Sequence, residues 1–471
     1  MNEHLTALVP EIALLAAAVI GLLAGSWLPR RRQWIIAALA AAACVTGMIA
    51  TALTMAEGRE RTVFSDAFAV DTATDAGRLT VLGALLLVGA MSVERMRHHR
   101  REAEYYVLLL LTGAGTLAMI GANDLLMLFA GYLLAGVPAY ALAGFAKDAA
   151  GTEAALKYYL MGALLGTVML AGIATTYGAG HATLYGELRT ALPSAAYGLV
   201  AAGLVALLAG VLFKIGGVPA HFWVPDVTDG AMAPVAAYVT TLPKIGGLIA
   251  AYRLLHQALP TSEVNWPLLL AVLAALSMTL GNLAAFFQTS VKRLLAYSTI
   301  SQVGYLLMAV AVATRSDLAQ RGLLFYLAAY ALTNLGAFAV VTELPDARTL
   351  DDYRGLARHR PGLAAVLVIC LLGLVGTPPT GVFLGKLQVF SAAIDGGYTW
   401  LAALAVTNTV ASLFYYLRWL APVFWSTAGD TPADAAGRWS AAVAYIAGAG
   451  SLALGIAGGA ALPLTTGPLL P

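Results

Sequence analysis

Charge is what this chain has least of. Only 11% of its 471 residues are Asp, Glu, Lys or Arg, whereas 60% are hydrophobic, and the mean hydropathy is +0.79. Soluble domains run nearer a quarter charged and half apolar. The deficit excludes an ordinary soluble domain and leaves a polytopic membrane protein. Cysteine is nearly missing as well: Cys44 and Cys370 are the two, both in apolar runs. They give neither a ligand spacing nor a disulfide framework and read as small buried hydrophobes. There is no CxxC, no HExxH and no Gly-rich phosphate loop after a strand. The chain is therefore expected to hold no metal, flavin, haem, iron–sulfur cluster or nucleotide of its own. A net charge of +2 singles out no partner, and no nucleic-acid partner is expected.

What the chain has in abundance is long apolar runs. A membrane-crossing helix needs ~20 apolar residues. That window predicts an all-α polytopic fold with fourteen spans, at 5–27, 34–55, 78–94, 105–122, 124–146, 154–177, 195–219, 231–254, 266–287, 294–313, 322–342, 362–391, 398–422 and 439–461. The first run is too long for a signal-peptide core and has no basic residue before it, so it reads as a true span. Placing both termini outside puts sixteen of the 27 basic residues on the cytoplasmic side and seven opposite, as the positive-inside rule favours. The four left over, Lys157, Lys214, Lys244 and Lys386, fall inside spans. None is an arginine by this count. Lysine can gain and lose a proton when desolvated, which arginine does not do.

Residues 213–244, FKIGGVPAHFWVPDVTDGAMAPVAAYVTTLPK, concentrate this chemistry. Two of the lysines, His221, four prolines and the Gly216–Gly217 pair lie together there. A charge within a bilayer usually faces a bundle interior or a water-filled path, and helix breakers free backbone groups that only a polar cavity satisfies. A second break, GTPPTGVFLGK from Gly376 to Lys386, stands in a corresponding place further on. Paired interruptions predict two inverted five-span repeats, spans 4–8 (105–254) and 9–13 (266–422), with spans 7 and 12 broken. The first three spans (1–104) and the last (439–461) lie outside the repeats within a single membrane domain.

Other polar residues admit two readings each. Glu11 either snorkels to the interface, the favoured reading, or pairs inside. Glu153 and Lys157 are four apart on one helix face: either an ion pair at a helix end or a lysine tuned by its neighbour. His221 either relays protons between Lys214 and Lys244 or is hydrogen-bonded at a helix end near Trp223. Asp226 and Asp229 read as helix caps. Tyr297, Ser301, Gln302, Tyr305, Thr333 and Asn334 either bond helix to helix or line a hydrated axis. Spans 2 and 3 read as featureless, with a polar loop containing Asp71 between them.

Five motifs together resemble a known family. EAALKYYLMGAL from Glu153, FKIGGVPAHFWVPDVTDGA from Phe213, VKRLLAYSTISQVGY from Val291, LDDYRGLARHRP from Leu350 and GTPPTGVFLGK from Gly376 are similar to subunit N of bacterial respiratory complex I, the proton-pumping NADH:quinone oxidoreductase. The wider antiporter-like group includes subunits L and M and the Mrp cation/proton antiporters. The resemblance implies fourteen helices with inverted repeats and broken helices 7 and 12. It also implies a proton path in which Lys214 is the span-7 lysine, Lys157 the span-6 lysine, Lys244 the connecting lysine, His221 the relay and Lys386 the lysine opening to the far side. It places NAD, FMN, Fe–S clusters and quinone in partner subunits, the chain itself in the bilayer of a bacterial inner (plasma) membrane, and other membrane and peripheral subunits against it. One position departs from the family. The span-5 glutamate that pairs with the span-7 lysine is Leu133 here, and no acidic residue occurs between Asp124 and Lys147. Glu153 is a possible substitute partner for Lys214. An Mrp-type antiporter subunit and a non-pumping structural paralogue are the alternatives.

Overall fold

Inside lipid the backbone has no hydrogen-bonding partner but itself, so long apolar runs fold as helices. The computed structural model describes residues 5–58, 60–260, 262–425 and 437–470. Thirteen of its helices are long and apolar enough to span a bilayer. They are α1 (Val9–Trp27), α2 (Trp34–Glu57), α3 (Thr72–Met91), α4 (Glu102–Gly121), α5 (Leu125–Ala143), α6 (Ala149–Gly180) and α7 (Tyr197–Ile215). After the short α8 (Trp223–Gly230) follow α9 (Ala233–Ala258), α10 (Trp266–Ala285), α11 (Val291–Ala311) and α12 (Leu318–Glu343). Two half-length helices, α13 (Pro361–Val375) and α14 (Gly381–Asp395), supply the remaining span, and α15 (Thr399–Phe424) and α16 (Arg438–Ile456) complete the set. Asp71, Asp124, Asp148, Asn265 and Ser290 start α3, α5, α6, α10 and α11 by accepting backbone N–H bonds.

Both expected breaks are present and are closed in the same way. Gly216 ends α7 in the left-handed region (φ 74°), with Gly217 N donating to Leu212 O (2.9 Å) and Gly216 N to Phe213 O (3.1 Å). Gly376 ends α13 likewise (φ 92°), with Thr377 N donating to Leu372 O (3.1 Å) and Gly376 N to Gly373 O (2.8 Å). This double-bonded cap needs a residue without a Cβ penalty at positive φ, which is why each break begins at glycine.

Burial sorts the helices. Every residue of the most apolar stretch of α9 is buried, and α11 and α12 are nearly as enclosed. These three central helices carry the polar run, while α1, α2, α6 and α16 turn Leu, Ile and Val outward. The molecule is thus polar at its axis and apolar at its rim, as a lipid-facing bundle must be.

The structure corrects several expectations. Span 3 begins at Thr72 rather than 78, span 6 at Ala149 rather than 154, and span 8 runs on to Ala258. Two arginines counted with the outside loops, Arg78 and Arg253, sit within span-length helices and are wholly buried, so lysine does not have these helices to itself. Nor is span 3 featureless. Arg78 forms a two-pronged bond with Glu11 (2.8 Å to each oxygen) and also holds Asp75 (3.0 Å). Glu11 thus pairs inside and does not snorkel. The all-α expectation misses one small hairpin, β1 (Arg61–Val63) paired antiparallel with β2 (Phe68–Val70), in the loop before α3.

Candidate functional site: three buried lysines along the axis

Each central lysine ends on backbone oxygen and an aromatic face. Lys214, in the last turn of α7, donates to Tyr132 O (3.0 Å), and its ammonium lies 4.7 Å from the Tyr132 ring centre. Lys244, on α9, donates to Val239 O (2.8 Å). That carbonyl is free because the residue four positions on is Pro243, which has no N–H. Lys244 also lies 5.3 Å from the Trp223 ring. Lys386, on α14, donates to Val375 O (2.8 Å) at the end of α13 and lies 4.1 Å from the Tyr305 ring. The end of α13 is the negative pole of that helix. The three lysines are at most 3% exposed, and none pairs with a carboxylate among the described residues. Dipoles and ring faces attract a cation without supplying a full counter-charge. An amine so held can take or give a proton without breaking an ion pair.

The first break brings the helices of Lys214 and Lys244 together. A Cβ added at Gly216 would lie 3.6 Å from Lys244 Nζ, and one added at Gly247 of α9 would lie 3.7 Å from Lys214 Cβ. Trp223, just after the break, stacks on Tyr158 (4.3 Å between centres) and donates its Nε1–H to Phe213 O (3.1 Å). His221 is not part of this contact. Its ring lies against Phe222 (4.5 Å) rather than Trp223, its Nδ1 is buried and unpaired, and it bonds to neither lysine.

The polar run of α11 and α12 extends between Lys244 and Lys386. Asn334 donates to Thr240 Oγ1 (3.0 Å) and Thr241 Oγ1 (2.9 Å) on α9, one turn from Lys244. Tyr330 donates to Thr240 O (2.8 Å) and Thr299 Oγ1 (3.0 Å). A turn along α12, Tyr326 donates to Gln302 Oε1, and Gln302 donates to Leu374 O (2.7 Å). That carbonyl neighbours the one Lys386 holds. Ser301 Oγ, Tyr305 Oη and Asn334 Oδ1 are buried along this line without a hydrogen-bond partner among the described residues. Tyr297 is only partly buried and makes no side-chain hydrogen bond among the described residues.

Lys157 stands apart from the other lysines. It lies near the start of α6, its side chain is 44% exposed, and it pairs with Glu153 (2.7 Å) and Asp226 (2.6 Å). Both acidic roles are thereby revised. Glu153 is committed to Lys157 and does not reach Lys214. Asp226 is no helix cap: it bridges Lys157 to Arg293 at the head of α11 (2.9 Å). Asp229 accepts from Ser290 (2.7 Å), and its backbone carbonyl accepts from Lys292. Leu133 is 43% exposed on α5, while Lys214 reaches the backbone of the residue before it.

Sequence reasoning missed a second charged pair beside the Glu11–Arg78 cluster. Arg253 makes two bonds of 2.7 Å to Asp71, which also caps α3 and accepts from Leu470 N (3.0 Å). Burial alone would push the Asp71 carboxyl up, but the Arg253 guanidinium and the Thr74 and Leu470 amides hold it below its ordinary range. The signal was in the sequence: Asp71, Asp75 and Arg78 fall on one face of a helix once its start is moved back to Thr72.

Comparison with known proteins agrees with this geometry. Residues 122–412 match the family described as NADH:quinone oxidoreductase/Mrp antiporter, TM. The chain is 54% identical over 463 residues to NADH-quinone oxidoreductase subunit N 1 of Streptomyces griseus, covering 98% of both. It superposes on a chain of respiratory complex I from Thermus thermophilus with bound aureothin at a TM-score of 0.85 and 31% identity, covering 98% of this chain and 100% of that one. A chain of the Mrp complex from Dietzia shares the fold at a TM-score of 0.87, with 22% identity. A multi-pass bundle with two broken spans and buried lysines, matched along its length by these relatives, belongs to the antiporter-like membrane family of NADH:quinone oxidoreductases and, within it, to the subunit N family of complex I.

Proposed function

We propose that this chain translocates protons for an NADH:quinone oxidoreductase, by passing charge along Lys214, Lys244 and Lys386. The observation that carries the reading is the shared environment of these three amines: buried, held by a carbonyl and a ring face, and free of any carboxylate among the described residues. Like charges repel, so a proton arriving on one amine favours onward movement over charging all three at once. The unpaired hydroxyls and amide oxygen between Lys244 and Lys386 suit bridging water. Lys157, with Asp226 and Glu153, forms a wet cytoplasmic mouth, and Lys386 the exit. His221 serves as a relay only if water or a rotamer change links it to Lys214 or Lys244. The two breaks mark corresponding places in two inverted five-helix repeats.

In this reading NAD, FMN, Fe–S clusters and quinone belong to partner subunits, and this chain answers their electron transfer with proton movement. Its membrane is the bacterial inner membrane, with both termini outside. Replacing Lys244 by Met in the assembled complex tests the reading. Proton uptake into inverted vesicles, measured per NADH oxidised, should fall while assembly holds. Unchanged uptake would remove Lys244 from the path.

The absence of a carboxylate at Leu133 favours a second reading, a subunit that transmits movement without pumping. In that case Lys244→Met would leave proton uptake unchanged, and Leu133→Glu would raise it.

A further inference from the structure

Away from the lysine axis, a cavity of ≈800 Å³ opens among α2, α3, α4 and α16. That is within the ~300–1,000 Å³ typical of small-molecule sites. Its walls are apolar, formed by residues such as Ala41, Leu86, Leu109 and Ile446. Its mouth is basic. Arg30 and Arg31 come from the α1–α2 turn and Arg97 from the α3–α4 loop. All three are exposed, and none has an ion-pair partner among the described residues. One carboxylate lines the same cavity, Glu102, and it accepts from His98 N (3.1 Å). Trp34 and Trp439 flank the mouth, 59% and 52% exposed. Tyr106 lines the interior, is 2% exposed, and its hydroxyl has no partner.

We infer that this cavity is a binding site for an anionic phospholipid. The phosphate would sit among Arg30, Arg31 and Arg97, whose planar guanidinium groups match phosphate oxygens in pairs. The acyl chains would run down the apolar walls, and the Tyr106 hydroxyl supplies a donor for an ester carbonyl. Exposed tryptophans mark the headgroup level of a bilayer. Basic pockets between helices on the cytoplasmic side are the arrangement that selects anionic headgroups. A lipid seated here would contact the second and third helices and the last one at once, joining segments far apart in the chain.

The test uses the assembled complex, purified in mild detergent and washed, with retained lipids extracted and quantified. Two variants are compared with wild type. Arg30→Gln/Arg31→Gln/Arg97→Gln removes the basic mouth. Gly89→Leu fills the cavity and leaves the charges in place; a Cβ at Gly89 meets nothing nearer than 3.9 Å, so the added side chain has room. Each variant should lose about one anionic phospholipid per complex and keep its zwitterionic lipid, the selectivity expected of a basic pocket. Full retention of anionic lipid in Gly89→Leu would overturn the proposal whether or not the triple variant assembles. So would equal loss of zwitterionic lipid, or a wild-type complex that retains no anionic lipid and whose groove is therefore covered by another subunit.

Discussion

The two helix breaks make a controlled comparison. Both start at a glycine with positive φ, and both are closed by the same pair of backbone bonds. They differ in where the amine comes from. At the first, Lys214 precedes the break and reaches away to Tyr132 on α5, while Lys244 arrives at Gly216 from α9. At the second, Lys386 belongs to the helix that follows and folds back onto the end of α13. A Cβ at Gly376 would lie 2.9 Å from Lys386 Cδ. The backbone device is therefore the common element, and the lysine can be supplied from either side of it. The first site shares its charge between two helices, and the second keeps it within one.

The sharpest way to break that comparison is to remove the amines. Lys386→Met in an assembled complex should abolish most of the proton uptake per NADH oxidised, because nothing else occupies its break. Lys214→Met should leave more, since Lys244 still faces Gly216. Equal losses would mean that the two amines of the first break do not share a role. The glycines come next. Forcing an L-residue into the left-handed region costs roughly 1–2 kcal/mol. Gly216→Ala adds a contact of 2.7 Å with Val224, in the first turn of α8, and should show mainly as poorer assembly on native gels. Gly376→Ala meets only the flexible Lys386 stem and should show mainly as lower proton uptake.

Smaller effects probe the ring faces. A cation over an aromatic ring gains about 0.5–2 kcal/mol. Tyr305→Leu should perturb uptake more than Tyr132→Leu, because Lys386 sits nearer its ring (4.1 Å) than Lys214 does (4.7 Å). Tyr132→Leu also leaves in place the backbone oxygen that Lys214 uses. Least of all should come from Asp226→Asn. Its partners are partly exposed, where an ion pair adds little to stability. Thermal stability of the complex should move by no more than a degree or two, and a larger drop would make the Lys157–Asp226–Arg293 bridge a structural tie.

The breaks were legible in the sequence because glycine and proline act locally: FKIGGVP and GTPPTG each stop a helix whatever surrounds them. The buried lysines were legible because a charge stands out in an apolar run. Their partners were not. Backbone carbonyls leave no trace in side-chain pattern, and the ring beneath each lysine comes from another helix: α5 for Lys214, the start of α8 for Lys244 and α11 for Lys386. Glu153 is a possible partner for Lys214 only if α6 brings it to α7, but its i,i+4 neighbour Lys157 lies within easier reach. Arg78 and Arg253 escaped notice because each lies at or near the end of its expected span, 78–94 and 231–254, and was counted with the adjoining outside loop. A charge near a span end reads as part of the loop even where it is paired and buried.

Asp71 is a knot tied by three distant parts of the chain. It starts α3, clasps Arg253 near the end of α9, and receives the amide of Leu470. Gln257, four residues beyond Arg253, holds the carbonyls of Leu469 and Leu470. The Asp71 carboxylate is thus fully satisfied only when residues 182 and 399 positions away in the chain come together beside it.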